Sequence, residues 1–490
     1  MSDIERRLPT APLPTFLLLF VIAVILRAYT FGNPFVEFDE QFYRLVGDRM
    51  FHGAIPYVDI WDRKPVGLFV IYYAIRATLG ENVLAYQLVA TAVVAATAAL
   101  VRTLAVRLKA DGFGAWAAAI GYIIWAGLLQ GEGGQSSVFY NLPMALAALI
   151  ALDGGSASRI SLFLRGVLAM ALVGLAIQIK YTVAFEGIFF ACYLLLAAWR
   201  TDRSLLRLCG FAFCWALIAL IPTLVAIAVY ARIGHLDAYI FANFISIFRQ
   251  GNAPFLDRMG DLATCMGILL IPLAAAFATR WRRDEPNGVL AFCRIWFVCA
   301  LTAVMIFNRF SPHYCIALVL PLMVIAAPAA QKFRRLTVTL LIVGAVSGQI
   351  LLGVYQWQKG GPAEGKAMMA AIGPVPHCLY VHDGFPALYL LTNSCLLTRF
   401  AFPGHLNTAT DAPALGVDPV AEVNRIMAQH PDAVVSDRPL FWLRNQATQA
   451  ALDRALARDY HLVLKLRTGA DRFRLVYRRN DPGSISTGRI

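Results

Sequence analysis

The sequence predicts a polytopic α-helical membrane protein, with about eleven transmembrane helices and a small C-terminal α/β domain outside the cytoplasm. Three observations carry this prediction. Only 15% of the 490 residues are charged while 59% are hydrophobic, and the mean hydropathy is +0.62, too apolar for a chain whose surface faces water. Apolar windows long enough to cross the hydrocarbon core recur between clusters of basic residues. From about residue 375 to 480 the pattern changes to short strands alternating with amphipathic helices.

The windows fall at 14–31, 83–106, 114–130, 137–152, 160–178, 183–199, 206–231, 261–279, 289–307, 313–329 and 336–355. The first continues into RAYTFGNPF without a small-residue cleavage site, so it reads as a retained helix and not as a signal peptide. Two further apolar stretches are read as surface-lying helices. Residues 64–80, KPVGLFVIYYAIRATLG, are too short for a span and carry Arg76, and residues 238–248, AYIFANFISIF, are amphipathic. The expected division is a transmembrane domain over 1–355, with its first external loop at 32–82, and a soluble domain over 356–490. Within the latter, CLYVHD, SCLLTRF, DAVVSD, HLVLKL and FRLVYRR read as strands, and the end, DPGSISTGRI, as disordered.

Basic residues set the orientation. Arg6 and Arg7, then Arg102, Arg107 and Lys109, Arg159, Arg200, Arg203 and Arg207, Arg280, Arg282 and Arg283, and Lys332, Arg334 and Arg335 occupy the amino terminus and alternate connections. Those positions are expected to face the cytoplasm, which places the C-terminal domain on the other side of the membrane, outside the cytoplasm. The net charge of +13 therefore reports topology, and nucleic acid is not an expected partner.

The opposite set of connections collects a different chemistry. Residues 37–67, EFDEQFYRLVGDRMFHGAIPYVDIWDRKPVG, carry Glu37, Asp39, Glu40, Asp48, Asp59 and Asp62; the same side holds Glu132, Lys180, Arg309, His313 and Tyr314. Ionisable groups at the membrane edge are costly unless they pair or line a cavity, so they mark a site. A carboxylate base beside cations suits transfer of a group from a lipid phosphate, the base taking an acceptor hydroxyl proton and the cations stabilising the departing phosphate. Asp39 is the expected base; if its segment is helical, Glu40 points elsewhere and Tyr43 returns to the Asp39 face. The plainer readings are loop charge for Asp48, Arg49 and Arg258, loop capping for Asp59 and Asp62, a snorkelling Lys180, and a helix-start histidine for His313. A transporter or flippase of an amphiphilic lipid is the alternative class, although internal repeats and interrupted helices are absent from the sequence. A receptor that binds a partner through its tail leaves the cavity residues unexplained.

Cys378 and Cys395 each open a predicted strand. If those strands are neighbours, their starts lie side by side in an oxidising compartment and form a disulfide; two free thiols are the alternative. Carboxylates and a histidine are compatible with a divalent metal ion, and nothing in the pattern requires one.

The loop residues Asp39, Glu40, Tyr43, Gly47, Met50, Gly53, Pro56, Tyr57, Asp59, Lys64, Pro65 and Gly67 resemble the first external loop of bacterial GT-C glycosyltransferases. The likeness is to those related to the aminoarabinose transferases of lipid A and, more distantly, to family 39 protein O-mannosyltransferases. The second proline of that family's Lys-Pro-Pro-Gly is Val66 here. GEGGQSSVFYNLPMALAAL, RFSPHYCIALVLPLMVIAAP and VHDGFPALYLLTNSCLLTRFAFP resemble further family segments in the same order, although Glu132 lies several residues upstream of its usual place. The resemblance implies a polyprenyl-phosphate-sugar donor and inverting transfer on the extracytoplasmic side. The acceptor is an envelope glycolipid such as lipid A, a polysaccharide or a protein. It implies Asp39 as catalytic base with Glu40 beside it, and Lys64 on the donor phosphate with Arg63, Arg309 and His313 in support; Lys180 joins them from its placement. Tyr43, Tyr57, Asp59, Asp62, Glu132 and Tyr314 are the expected substrate contacts.

Overall fold

Apolar length and charge placement determine where the chain crosses. The computed structural model describes residues 11–153, 158–279, 288–439 and 443–480; Arg6, Arg7, Arg280, Arg282, Arg283 and the 481–490 end lie outside them. The crossing helices are α1 (Pro12–Arg27), α4 (Val83–Arg107), α5 (Gly112–Leu128), α6 (Ser136–Leu152), α7 (Arg159–Ile177), α8 (Ala184–Thr201), α9 (Leu205–Arg232), α10 (Phe255–Ala278), α11 (Val289–Phe307), α12 (Ile316–Lys332) and α13 (Arg334–Lys359). Nine helical stretches among the described residues are long and apolar enough to cross a membrane; α5 and α6 are shorter apolar helices of 17 residues. This is a multi-pass membrane protein. Asn82, Asp111 and Ser158 start α4, α5 and α7 by accepting backbone N–H groups, at the positions where free donors would otherwise be left. α10 starts at Phe255 and not at 261, because Pro254 opens the helix through the charged FLDRMGD stretch that reads as loop.

At the basic ends of the bundle, arginines tie neighbouring helices together. Arg107 pairs with Asp153, Arg159 and Arg207 with Asp202, and Arg334 with Asp111 at 2.5 Å.

Two helices outside the bundle build the opposite face: α2 (Phe38–Phe51) and α3 (Val66–Leu79). α3 has 14 residues, Pro65 ahead of it, and Gly80 at φ 83° to end it. The helices pack closely enough that a Cβ at Gly47 would lie 2.7 Å from the Tyr72 carbonyl carbon. Gly67 makes a second close approach: its Cβ would sit 2.6 Å from the Gln178 side chain, and Leu68 N–H donates to the Gln178 carbonyl at 3.1 Å. That approach draws the Lys64 end of the loop to the end of α7.

After α14 (Pro362–Ile372) the chain forms a four-stranded sheet of order β1-β2-β4-β3, with β1 Leu379–Val381, β2 Ala433–Arg438, β3 Tyr460–Thr468 and β4 Arg472–Arg479. β1 and β2 are parallel, and β4 runs antiparallel to β2 and β3. The helices α15 (Pro419–Met427) and α16 (Gln446–Asp459) cover it. The SCLLTRF segment is not a strand. Its backbone leaves the sheet to meet the 37–67 loop, Trp61 N–H donating to the Arg399 carbonyl at 2.8 Å. Cys378 and Cys395 are nonetheless disulfide-bonded, with Cα atoms 5.1 Å apart, joining the start of β1 to this loop and not to a neighbouring strand. Phe385 stacks on Phe38 at 4.2 Å, and Lys359 pairs with Glu37, so the domain rests on the start of α2.

Gly47→Ala forces a methyl group into the α2–α3 contact and is expected to destabilise the protein by about 1–3 kcal/mol. Thermal unfolding in detergent measures this, and an unchanged midpoint would remove the close helix approach from this account.

Candidate active site

The site begins in the first turn of α2, where Asp39 and Glu40 occupy the favoured acidic positions of a helix start. Successive residues there point about 100° apart, and the two carboxylates part company. Asp39 approaches the turn before α12, its Oδ2 lying 3.8 Å from His313 Nε2. Glu40 is buried behind the helix, against Gly133, where a Cβ would collide with its carboxylate. Burial first, and then the Glu132 charge, push Glu40 up to about 8.

Lys64 and Lys180 come from chain segments brought together by the Gly67 approach. Both flank the Tyr314 ring, with Lys180 Nζ 3.7 Å and Lys64 Nζ 5.7 Å from its centroid. Neither ammonium forms an ion pair among the described residues. Burial and then the Lys64 charge push Lys180 well below the usual lysine range. Burial alone would lower Lys64 too, but Tyr314, Asp39 and Asp62 outweigh it and the net shift is upward. Two lysines, Lys180 buried and Lys64 partly buried, thus stand beside one base candidate. Arg309 lines a small pocket with Lys180, Tyr314, Tyr140 and Glu186, and its Nη2 donates to the Gly251 carbonyl at 2.9 Å.

The other expected site residues divide. Tyr43 lies on the Asp39 side of α2, its ring against Phe69 and Tyr72. Tyr57 is a packing residue: buried among Phe69, Tyr230 and Tyr239, it donates to the Lys64 carbonyl at 2.8 Å. Asp59 accepts from Ile55 N–H at 2.7 Å and so closes a loop turn. Asp62 is buried beside Lys64, its Oδ1 accepting from Arg63 N–H at 2.6 Å. Burial raises its carboxyl, against the pull of Lys64 and Arg63. Arg63 is engaged elsewhere, with Nη2 2.7 Å from Asp411 of the C-terminal domain. Glu132 is buried, lining a small pocket with Arg27, Ile123, Gln349 and Leu352, and neither of its carboxylate oxygens has a hydrogen-bond partner among the described residues. Among the described residues no group of three or more His, Cys, Asp or Glu is placed to hold a metal ion.

No protein-family model matches the chain, and no curated protein matches it significantly. The structure is similar to that of ArnT from Cupriavidus metallidurans. The apo form matches at a TM-score of 0.64 and 17% identity over 95% of this chain and 98% of that one. The form bound to undecaprenyl phosphate matches at 0.62 and 15% identity, over 94% and 97%. The chain has the GT-C fold.

On this GT-C scaffold several polar residues matter that sequence reading passed over. Arg27, buried at the end of α1, donates to the Glu132 and Gly133 carbonyls at 2.8 and 2.7 Å and so fixes the loop beside Glu40. Asp48, read as loop charge, is buried and pairs with Arg76 at 2.8 Å. Asp411 and His405 reach the loop from the C-terminal domain. An arginine closing an apolar run ahead of an acidic loop was a readable sign; the sequence around Asp411 carried none.

His405 is enclosed by Phe42, Trp61 and Phe402, and His382 is buried after β1. Burial, then nearby arginines, lower both from 6.5 to about 3. Between those values the unfolded chain binds more protons than the folded one. Stability therefore falls as pH drops below 6.5, by on the order of 2 kcal/mol per histidine at about pH 4.5. His405→Phe keeps the aromatic packing and should flatten this slope in pH-dependent unfolding; an unaltered slope would show that His405 does not titrate.

Proposed function

We propose that the protein is a membrane glycosyltransferase that moves a sugar from a polyprenyl-phosphate-linked donor to an envelope acceptor on the extracytoplasmic side. The observation that carries this reading is the pair Lys64 and Lys180, both beside Tyr314 and without an ion-pair carboxylate among the described residues, next to Asp39. Two neighbouring lysines without an ion-pair partner among the described residues suit an arriving anion, whose charge would favour the protonated form of Lys180, and a lipid phosphate at the membrane edge supplies one. The similarity to ArnT, in a structure where that protein holds undecaprenyl phosphate, supports the same donor chemistry.

In the proposed reaction Asp39 takes the proton of an acceptor hydroxyl. The freed oxygen attacks the anomeric carbon as the bond from that carbon to the phosphate oxygen breaks. The bonding electrons stay with the phosphate, whose added charge Lys64 and Lys180 stabilise, with Arg309 and His313 at the rim of the same region. The oxygen attacks opposite the departing phosphate, which inverts the sugar carbon. The orientation proposed is a cytoplasmic amino terminus and a periplasmic C-terminal domain, supported by the basic residues gathered at one end of the bundle. The acceptor, a glycolipid, polysaccharide or protein, is to be named by experiment.

Mass spectrometry of envelope glycolipids and glycans from a deletion strain should lose one sugar-sized increment, restored by wild type. Asp39→Asn should cut transfer by about 10²–10⁴-fold while the protein remains folded. Full restoration by Asp39→Asn would exclude Asp39 as base, and an unchanged profile on deletion would bring transport of a lipid forward.

A further inference from the structure

The donor site as proposed contains residues from the transmembrane domain and its first external loop. The structure adds a second source. The segment 403–411 of the C-terminal domain lies over that loop and touches both residues that precede Lys64. His405 Nε2 is 4.0 Å from Asp62 Oδ1, and Trp61 lies edge-on to the His405 ring at 4.8 Å. Asp411 Oδ2 accepts from Arg63 Nη2 at 2.7 Å. The same carboxylate receives Gln250 Nε2 on its other oxygen, and the neighbouring Thr410 carbonyl receives Gly251 N–H at 2.8 Å. Gly251 in turn offers its carbonyl to Arg309 at 2.9 Å. One buried carboxylate therefore joins three separate parts of the chain. On one side it holds the loop that ends in Lys64, and on the other the turn that orients Arg309.

We infer that Asp411 is a positioning residue of the donor site. Through Arg63 and the 250–251 turn it sets where Lys64 and Arg309 stand, so the C-terminal domain completes the site it covers. His405 assists by bracing Asp62 and Trp61. The inference rests on the proposed reading of Lys64 as a phosphate ligand. Arg63 then serves in the frame that holds the lysine, a different role from the phosphate contact expected of it. Burial alone would raise the Asp411 carboxyl, but Arg63 outweighs it and the net shift is downward, so the carboxylate is charged when it makes these contacts. A charge-assisted pair that is shielded from water has a defined geometry as well as strength, which is what a positioning contact needs.

The test uses the full-length protein in detergent with undecaprenyl phosphate as the probe. Asp411→Ala should weaken binding of that lipid by about 5- to 150-fold, the usual range for coupling between sites. The exchange Arg63→Asp with Asp411→Arg should recover most of the loss, because the pair is restored in reverse. If Arg63 touches the phosphate itself, the exchanged protein stays as weak as Arg63→Asp alone, and the inference is overturned. Wild-type affinity in Asp411→Ala would overturn it equally. Should wild type fail to bind undecaprenyl phosphate, the functional reading falls, and the geometric claim is judged by cross-linking. Gly251→Cys and Thr410→Cys should cross-link efficiently with Asp411 present and poorly in Asp411→Ala or Asp411→Asn. Equal yields would refute the positioning role without reference to any ligand.

Discussion

Two lysines beside one tyrosine ring, at the edge of an apolar bundle, are the constraint around which the face opposite the basic helix ends is organised. Like charges repel, and Lys180, the more buried of the two, has lost water that its charged form would otherwise keep. Something must hold them there. Packing does so through Gly67, whose missing side chain lets the loop settle onto Gln178 two residues before Lys180. The electron-rich face of Tyr314 offsets part of the cost, as rings do for cations. Asp39 and Asp62 supply the negative field that keeps Lys64 charged, without either forming an ion pair with it. The arrangement is stable enough to fold and still short of negative charge. An anion entering it gains both cations at once.

The C-terminal domain belongs to the same electrostatic problem. It meets the membrane domain through Phe385, in the loop after β1, stacked on Phe38, one residue before Asp39, and the Arg474 guanidinium of β4 lies 4.8 Å from the same Phe385 ring. Arg474 also pairs with Asp437 in the domain interior and donates to the Lys359 carbonyl, and Lys359 pairs with Glu37. The start of α2 is thus clamped by aromatic contact and by charge. The proposed base, Asp39, would gain from a helix start held in this way, because general-base transfer needs alignment to within a fraction of an ångström.

What could be read in the sequence was what local rules determine. The crossing helices followed from bilayer thickness and basic connections, and the parting of Asp39 from Glu40 followed from helical period alone. SCLLTRF has the composition of a strand, but its backbone found partners in the loop at Trp61, a tertiary outcome that propensity does not encode. Arg63 was expected at a phosphate because of its neighbour Lys64. Its partner Asp411 is 348 residues away, beyond what a single sequence can pair. The disulfide was reached by a premise about adjacent strands that the fold does not use: Cys395 sits on a loop, and proximity came from the turn of the chain after β1.

The six carboxylates of residues 37–62 show how a membrane-edge loop sorts its charges. Glu37 is taken by Lys359, and Asp48 by Arg76 with Arg49 and His52 close by. Asp59 closes a turn at Ile55, and Asp62 accepts its own neighbour's N–H. Glu40 withdraws behind the helix into a region shared with Glu132 and Arg27, where its raised pKa favours the neutral acid. Asp39 remains, on a clamped helix start, facing a histidine at 3.8 Å whose ring nitrogens have no hydrogen-bond partner. A loop with one acid would expose that acid to whichever cation lay nearest. Here Glu37 and Asp48 occupy Lys359 and Arg76, and Asp411 of the C-terminal domain occupies Arg63, so that Asp39 is left without an arginine or lysine partner among the described residues, as the proposed role of proton acceptor requires.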